Sequence, residues 1–107
     1  MKIIIKDKKL RKIIDNEDTR NAIRLYGKLR AEKIYLRYSQ LIAIENFHLL
    51  LTQRVGRCHP LKDNYKGFYS LDLDHPYRMI IKPKFTKDEK DLISVTIVSI
   101  EEIVDYH

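Results

Sequence analysis

The chain changes character at Gly56. Ahead of it, after one short β-branched run, apolar residues recur at the three- and four-residue spacing of amphipathic helices. Beyond it come alternating and β-branched stretches divided by turn signals. A helix-rich first half followed by a strand-rich second half specifies an α+β domain. An N-terminal strand and two to three helices should pack on one face of a mostly antiparallel, four- to five-stranded sheet. With 107 residues there is room for one core, so 1–107 is read as a single domain.

"MKIIIK" reads as the first strand. Asp7 ends it and is placed to cap "KKLRKIID", where Leu10, Ile13 and Ile14 share a helical face. "NEDT" punctuates, with Asp18 or Thr19 as the next cap, and one long helix is expected from about Arg20 to about Leu41. Ala22, Leu25, Tyr26, Leu29 and Leu36 form one face of it, and Ile23, Ile34, Tyr38 and Leu41 a second band. Two bands mean either a broad core-facing stripe or a face offered to a partner protein. Gly27, inside this helix, costs about 1 kcal/mol relative to Ala, which implies close packing or a local bend there. "AIENFHLLL" supplies one more short helical stretch.

In "RVGRCHPLK", Pro60 keeps His59 out of helical angles, so the segment is extended. "DNYKG" turns, "GFYSLDL" alternates as a strand, "DHP" turns again and "YRMIIKPKF" runs back. "TKDEKD" is a charged loop before a last long strand, "LISVTIVSIEEIVDYH". That strand changes phase: Ile93, Val95 and Ile97 are odd, whereas Val98, Ile100, Val104 and Tyr106 are even. A bulge near Ile97, or burial on both faces, reconciles the halves.

The net charge of +6 is unevenly spread, with +7 over residues 1–40, +3 over 41–84 and −4 over 85–107. A basic body suits a polyanionic partner, nucleic acid or an acidic protein surface, although solvated helix faces account for such charge in many small proteins. Cys58 stands alone, which excludes a disulfide framework and points to a reducing, cytoplasmic setting. The opening "MKIIIKDKKL" has three consecutive apolar residues, too few for a signal-peptide core or a membrane span, so no membrane association is expected. Glycines at 27, 56 and 67 are too scattered for a phosphate loop.

Chemistry-bearing residues cluster in two places. His48 lies in an apolar run and His75 in a turn, both structural settings. His59 and Lys62 share "CHPLK", and Asp105, Tyr106 and His107 end the chain. Glu101, Asp105 and His107 share strand parity and Cys58 adjoins His59. Neither Cys-x-x-Cys nor His-Glu-x-x-His spacing is present, so neither a metal nor another cofactor is expected. Metal-free RNA cleavage needs a base for the 2′-hydroxyl, an acid for the departing 5′-oxygen and fixed cations for the charge on phosphorus. Aromatic rings add surfaces for an unpaired base. His59, Lys62, Lys66, Arg78, Tyr106 and His107 are the side-chain types that this requires.

The stretch "RCHPLKDNYKGFYSLDLDHPYRMIIKP", with "EEIVDYH" at the end, resembles the HigB-like "killer" toxins of the RelE/ParE superfamily. Those carry a His-Pro-Leu-Lys-Gly-x-x-Lys-Gly block, an aromatic–Arg strand and a terminal Asp-Tyr-His, and the likeness extends over the whole chain. Two departures stand out: Asp63 where glycine is usual, and "TKDEKD" lengthening the last hairpin. The resemblance implies a RelE-like fold and the toxin of a type II toxin–antitoxin system. Such a toxin is a metal-independent, ribosome-dependent mRNA endonuclease, silenced by an antitoxin with a helix-turn-helix domain. It lays catalysis on His59, Lys62, Asp105, Tyr106 and His107, to which Arg57, Lys66 and Arg78 are added as candidate RNA-binding residues. On this reading His107 or Tyr106 handles the 2′-hydroxyl proton, and His59 is the acid, although the two roles can be exchanged. Lys62 and Arg78 neutralise the transition state, and Asp105 orients a neighbour. Two other readings stay open: a ParE-like toxin acting on a protein target such as DNA gyrase, and a non-catalytic basic module that binds nucleic acid.

Overall fold

The computed structural model describes residues 1–86, 88 and 90–105. Its first elements follow from local chemistry. The β-branched run Lys2–Ile5 is β1, and Asp7 then accepts a hydrogen bond from the Leu10 backbone N–H at 3.1 Å to start α1 (Lys8–Asp15). Asp18 does the same for Asn21 at 3.1 Å, starting α2 (Thr19–Tyr26).

The single long helix expected across Gly27 is two helices. Gly27 sits at φ +83°, ψ 158°, so α2 ends there and α3 (Lys28–Ala43) begins on a new axis. Nothing lies within 4 Å of where a Gly27 β-carbon would stand, so backbone conformation rather than close packing accounts for the glycine. Asn46 caps the short α4 (Phe47–Thr52) through the Leu49 N–H at 3.1 Å.

The second half supplies β2 (His59–Pro60), β3 (Tyr69–Asp72), β4 (Tyr77–Pro83) and β5 (Ile97–Asp105). The sheet order is β1-β5-β4-β3-β2, with β1 parallel to β5 and every other pair antiparallel. The bulge lies farther along than expected. Ile80 faces Glu102 and Ile81 faces Ile100, which leaves Glu101 as the extra residue. Residues 91–96 precede the strand as a loop tied to α4, where the Phe47 and His48 N–H groups donate to the Val95 and Leu92 carbonyls at 3.0 and 3.2 Å.

Alternation gives the sheet two unlike faces. One presents Ile5, Leu71, Met79, Ile81, Val98 and Ile100 to Leu10, Ile14, Ile34, Leu41, Phe47 and Leu50 of the helices, and this is the core. The Phe47 ring meets Tyr69 edge-on at 4.9 Å. The Met1 ammonium closes the end of α3, donating to the carbonyls of Leu41, Ile42 and Ile44 at 3.0, 2.9 and 2.7 Å. Among the described residues no helix is long and apolar enough to cross a membrane.

Candidate nucleic-acid interface on the open sheet face

On the face turned away from the helices the register lays polar and apolar side chains in rows, with Ser70, Ile80 and Ser99 buried among them. Asp72 pairs with Arg78 and Arg78 with Val104. About 7 Å along the strands, His59 pairs with Ser70, Ser70 with Ile80 and Ile80 with Glu102. Lys82, opposite Ser99, begins a third row, and its ammonium lies 5.2 Å from the centre of the Phe68 ring. Tyr65 meets Phe68 edge-on and reaches over to Glu102, its hydroxyl donating to Oε1 at 3.1 Å. Imidazole, guanidinium, ammonium and two aromatic rings thus share one surface.

His59 has a defined tautomer. Its Nδ1 is 2.9 Å from the Arg57 carbonyl, which can only accept, so Nδ1 carries the proton. In the neutral ring Nε2 is left as an acceptor, 3.4 Å from the Ser70 hydroxyl on the open face. The same nitrogen is a base when neutral and an acid when protonated.

Asp72 gathers the cations beside it. Arg57 Nε donates to Oδ2 at 2.7 Å and its Nη2 to Oδ1 at 3.3 Å, while Arg78 Nη1 lies 3.5 Å from Oδ1. Burial works against ionisation of Asp72, but the Arg57 hydrogen bond and the charges of Arg57, Arg78 and His59 outweigh it. Its pKa therefore lies below the ordinary carboxylate value. From the helix side, Arg37 Nε donates to the Asp72 carbonyl at 2.7 Å.

The connection into β2 is bent to fit, with Arg54, Gly56 and Arg57 all in the left-handed region at φ +52°, +55° and +55°. Asp63, which stands where the HigB-like block has glycine, also has positive φ, +56°. The turn thus keeps the conformation that favours glycine, in a residue type that tolerates it better than most.

The residues singled out in the sequence fall into three groups. Arg57, His59 and Arg78 converge on the open face. Lys62 and Lys66, both exposed, bracket the 3-10 turn Asp63–Tyr65 at the sheet edge. Asp105 pairs with Tyr77, on the parity of the core face, so its side chain starts from the opposite side of the sheet to His59. Tyr106 and His107 lie outside the described residues. Among the described residues no three of His, Cys, Asp and Glu are grouped to hold a metal. Burial pushes the Cys58 thiol up to about 12, which removes its nucleophilic form at neutral pH.

Sequence reading missed Asp72, Ser70, Tyr65 and Arg37. Two of these had a visible signal: in "GFYSLDL", Ser70 and Asp72 alternate against Tyr69, Leu71 and Leu73, which marks them as one polar face. Arg37 had none, because it reaches the site from α3, and Tyr65, although it lies between Lys62 and Lys66, bonds to Glu102 from far along the sequence.

No family model and no curated protein matches this chain. A solved structure does: a chain of the YoeB–YefM complex from Staphylococcus aureus aligns over 100% of this chain and 97% of its own length, with a TM-score of 0.58 and 19% identity. At that identity the likeness is one of fold. Among the described residues α1, α3 and α4 cover one face of a five-stranded, mostly antiparallel sheet and α2 packs on α1 and α3, which is a RelE/YoeB-like α+β fold.

Proposed function

We propose that this chain is the toxin of a type II toxin–antitoxin pair and cleaves mRNA on the ribosome without a metal. The observation that carries the reading is the His59 imidazole, held by the Arg57 carbonyl and the Ser70 hydroxyl one row from Asp72, the carboxylate on which Arg57 and Arg78 meet. The fold shared with a chain of the YoeB–YefM complex supports it, as does the resemblance to HigB-like toxins in "HPLKDNYKG" and "VDYH".

In the proposed reaction the 2′-oxygen attacks phosphorus as its proton leaves to Tyr106 or His107. The bond to the 5′-oxygen breaks, that oxygen takes a proton from His59, and a 2′,3′-cyclic phosphate and a 5′-hydroxyl result. Lys62 and Arg78 neutralise charge on the phosphorane-like transition state. Arg57 and Lys66 hold flanking phosphates, and Tyr65 and Phe68 offer ring surfaces to an unstacked base. Asp105, on the other parity, orients a neighbour rather than taking a proton.

A protein partner is supported by the apolar side chains exposed on the helices. Ile23, Leu25, Leu29 and Leu36 on α2 and α3 are 45, 48, 57 and 44% exposed, a display that RNA does not require. An antitoxin carrying a helix-turn-helix domain fits the basic charge around them.

The test is to map RNA ends after adding the protein to programmed ribosomes. Wild type is expected to cut, while His59→Ala and a chain ending at Asp105 are not. Equal cutting by either variant would overturn the assignment. Toxicity without any cut RNA would favour a protein target.

A further inference from the structure

We infer that Asp72 is a positioning residue of the open-face site, holding the guanidiniums of Arg57 and Arg78 together beside His59 for the phosphodiester. The inference rests on the nuclease reading and adds a residue to it.

The geometry is specific. Arg57 grips the carboxylate with two nitrogens, at 2.7 and 3.3 Å, and Arg78 approaches the same Oδ1 at 3.5 Å from the strand opposite. One carboxylate thus fixes where two cations stand. The register places Asp72 two residues from Ser70 on the same face, one row from His59. Its backbone is held separately through Arg37 Nε.

Folding alone does not explain the arrangement. The Arg57 side chain is 63% exposed, and exposed ion pairs stabilise proteins little. Arg57 also adopts φ +55°, a conformation that is costly for a residue with a β-carbon. An unfavourable backbone that aims an exposed side chain at a carboxylate has its value in direction. A long arginine left untethered would spread over many rotamers, and the entropy of gathering it would fall on the transition state.

Asp72 also carries a negative charge where a polyanion must bind. Positioning therefore predicts opposite effects on binding and turnover. Replacing the carboxylate removes repulsion and favours RNA binding, while releasing the guanidiniums slows cleavage.

The test compares wild type with Asp72→Asn, Asp72→Ala and Asp72→Glu on programmed ribosomes. Asp72→Asn and Asp72→Ala are expected to lower kcat at least tenfold with KM unchanged or lower, and Asp72→Glu to recover part of the loss. In parallel, the arginine Nε–H NMR signals of Arg57 and Arg78 are expected to be slow to exchange in wild type and fast in Asp72→Asn. A wild-type kcat in Asp72→Asn, or KM rising as kcat falls, would overturn the inference. If wild type itself cuts nothing, the nuclease reading fails, and the arginine signals alone decide whether Asp72 positions them.

Discussion

Gly56 and Arg37 are packed so closely that a β-carbon on Gly56 would stand 2.8 Å from Arg37 Nε and 3.1 Å from its Cδ. Arg37 uses that gap to reach the Asp72 carbonyl at 2.7 Å, so a glycine before β2 serves a hydrogen bond at the end of β3. Gly56→Ala meets both this crowding and the strain of φ +55°. A loss of about 1–3 kcal/mol is expected in denaturant unfolding. In an Arg37→Ala background the crowding disappears and only the strain is left, so the added cost of Gly56→Ala should shrink.

Asp63 provides a gain-of-stability test. At φ +56° glycine carries no β-carbon penalty, and Asp63→Gly is expected to leave the protein as stable or up to about 1 kcal/mol more so. Asp63→Val, branched and intolerant of that region, should lose at least about 1 kcal/mol. Thermal melts of the pair measure the difference.

For His59 the expectation concerns chemistry rather than folding. Its ring is half-buried at the sheet edge, with hydrogen bonds to a carbonyl and a hydroxyl. His59→Ala is expected to reduce cleavage by about 10²–10⁴-fold, the usual worth of general acid–base catalysis, with little change in melting temperature. Ser70→Ala removes only the weaker hydroxyl partner at 3.4 Å and should cost less than tenfold.

The buried thiol predicts a pH dependence. Burial raises the Cys58 pKa from 9.0 to about 12. Between those values the unfolded chain has released the proton and the folded one keeps it, so stability is complete below 9 and falls as pH rises toward 12. The slope attributable to this group is up to about 1.4 kcal/mol per pH unit. Cys58→Ala is expected to remove that part of the alkaline loss in pH-dependent unfolding curves. At pH 8 the native thiol should resist labelling until denaturant is added.

The parts of the fold set by neighbouring residues were legible in the sequence. Asp7 and Asp18 each lie three residues from the N–H they cap, and "GFYSLDL" shows its two faces by alternation. What was misread depended on energies that a pattern does not display. Gly27 inside a periodic run looks like a tolerated defect of about 1 kcal/mol, yet its positive φ ends one helix and starts another. The phase change at Ile97 is visible, and of its two offered causes burial on both faces holds for Val98, Ser99 and Ile100, whereas a bulge near Ile97 does not. Val95 is buried from a loop, and the true bulge is at Glu101, where β5 meets β4. His59 and Arg78 were found because their residue types suit phosphate chemistry. Asp72 shows in the sequence only as part of an alternating polar face, because Arg57 and Arg78 meet its carboxylate only once β2, β3 and β4 are paired.

The placement of β5 has a consequence for biosynthesis. It is the last strand made among the described residues, yet it lies between β1, the first, and β4, joining two pieces that have no other ladder between them. A nascent chain lacking it owns the paired β2, β3 and β4 and an unpaired β1, so the five-stranded sheet can close only once β5 has been made and takes its place between them.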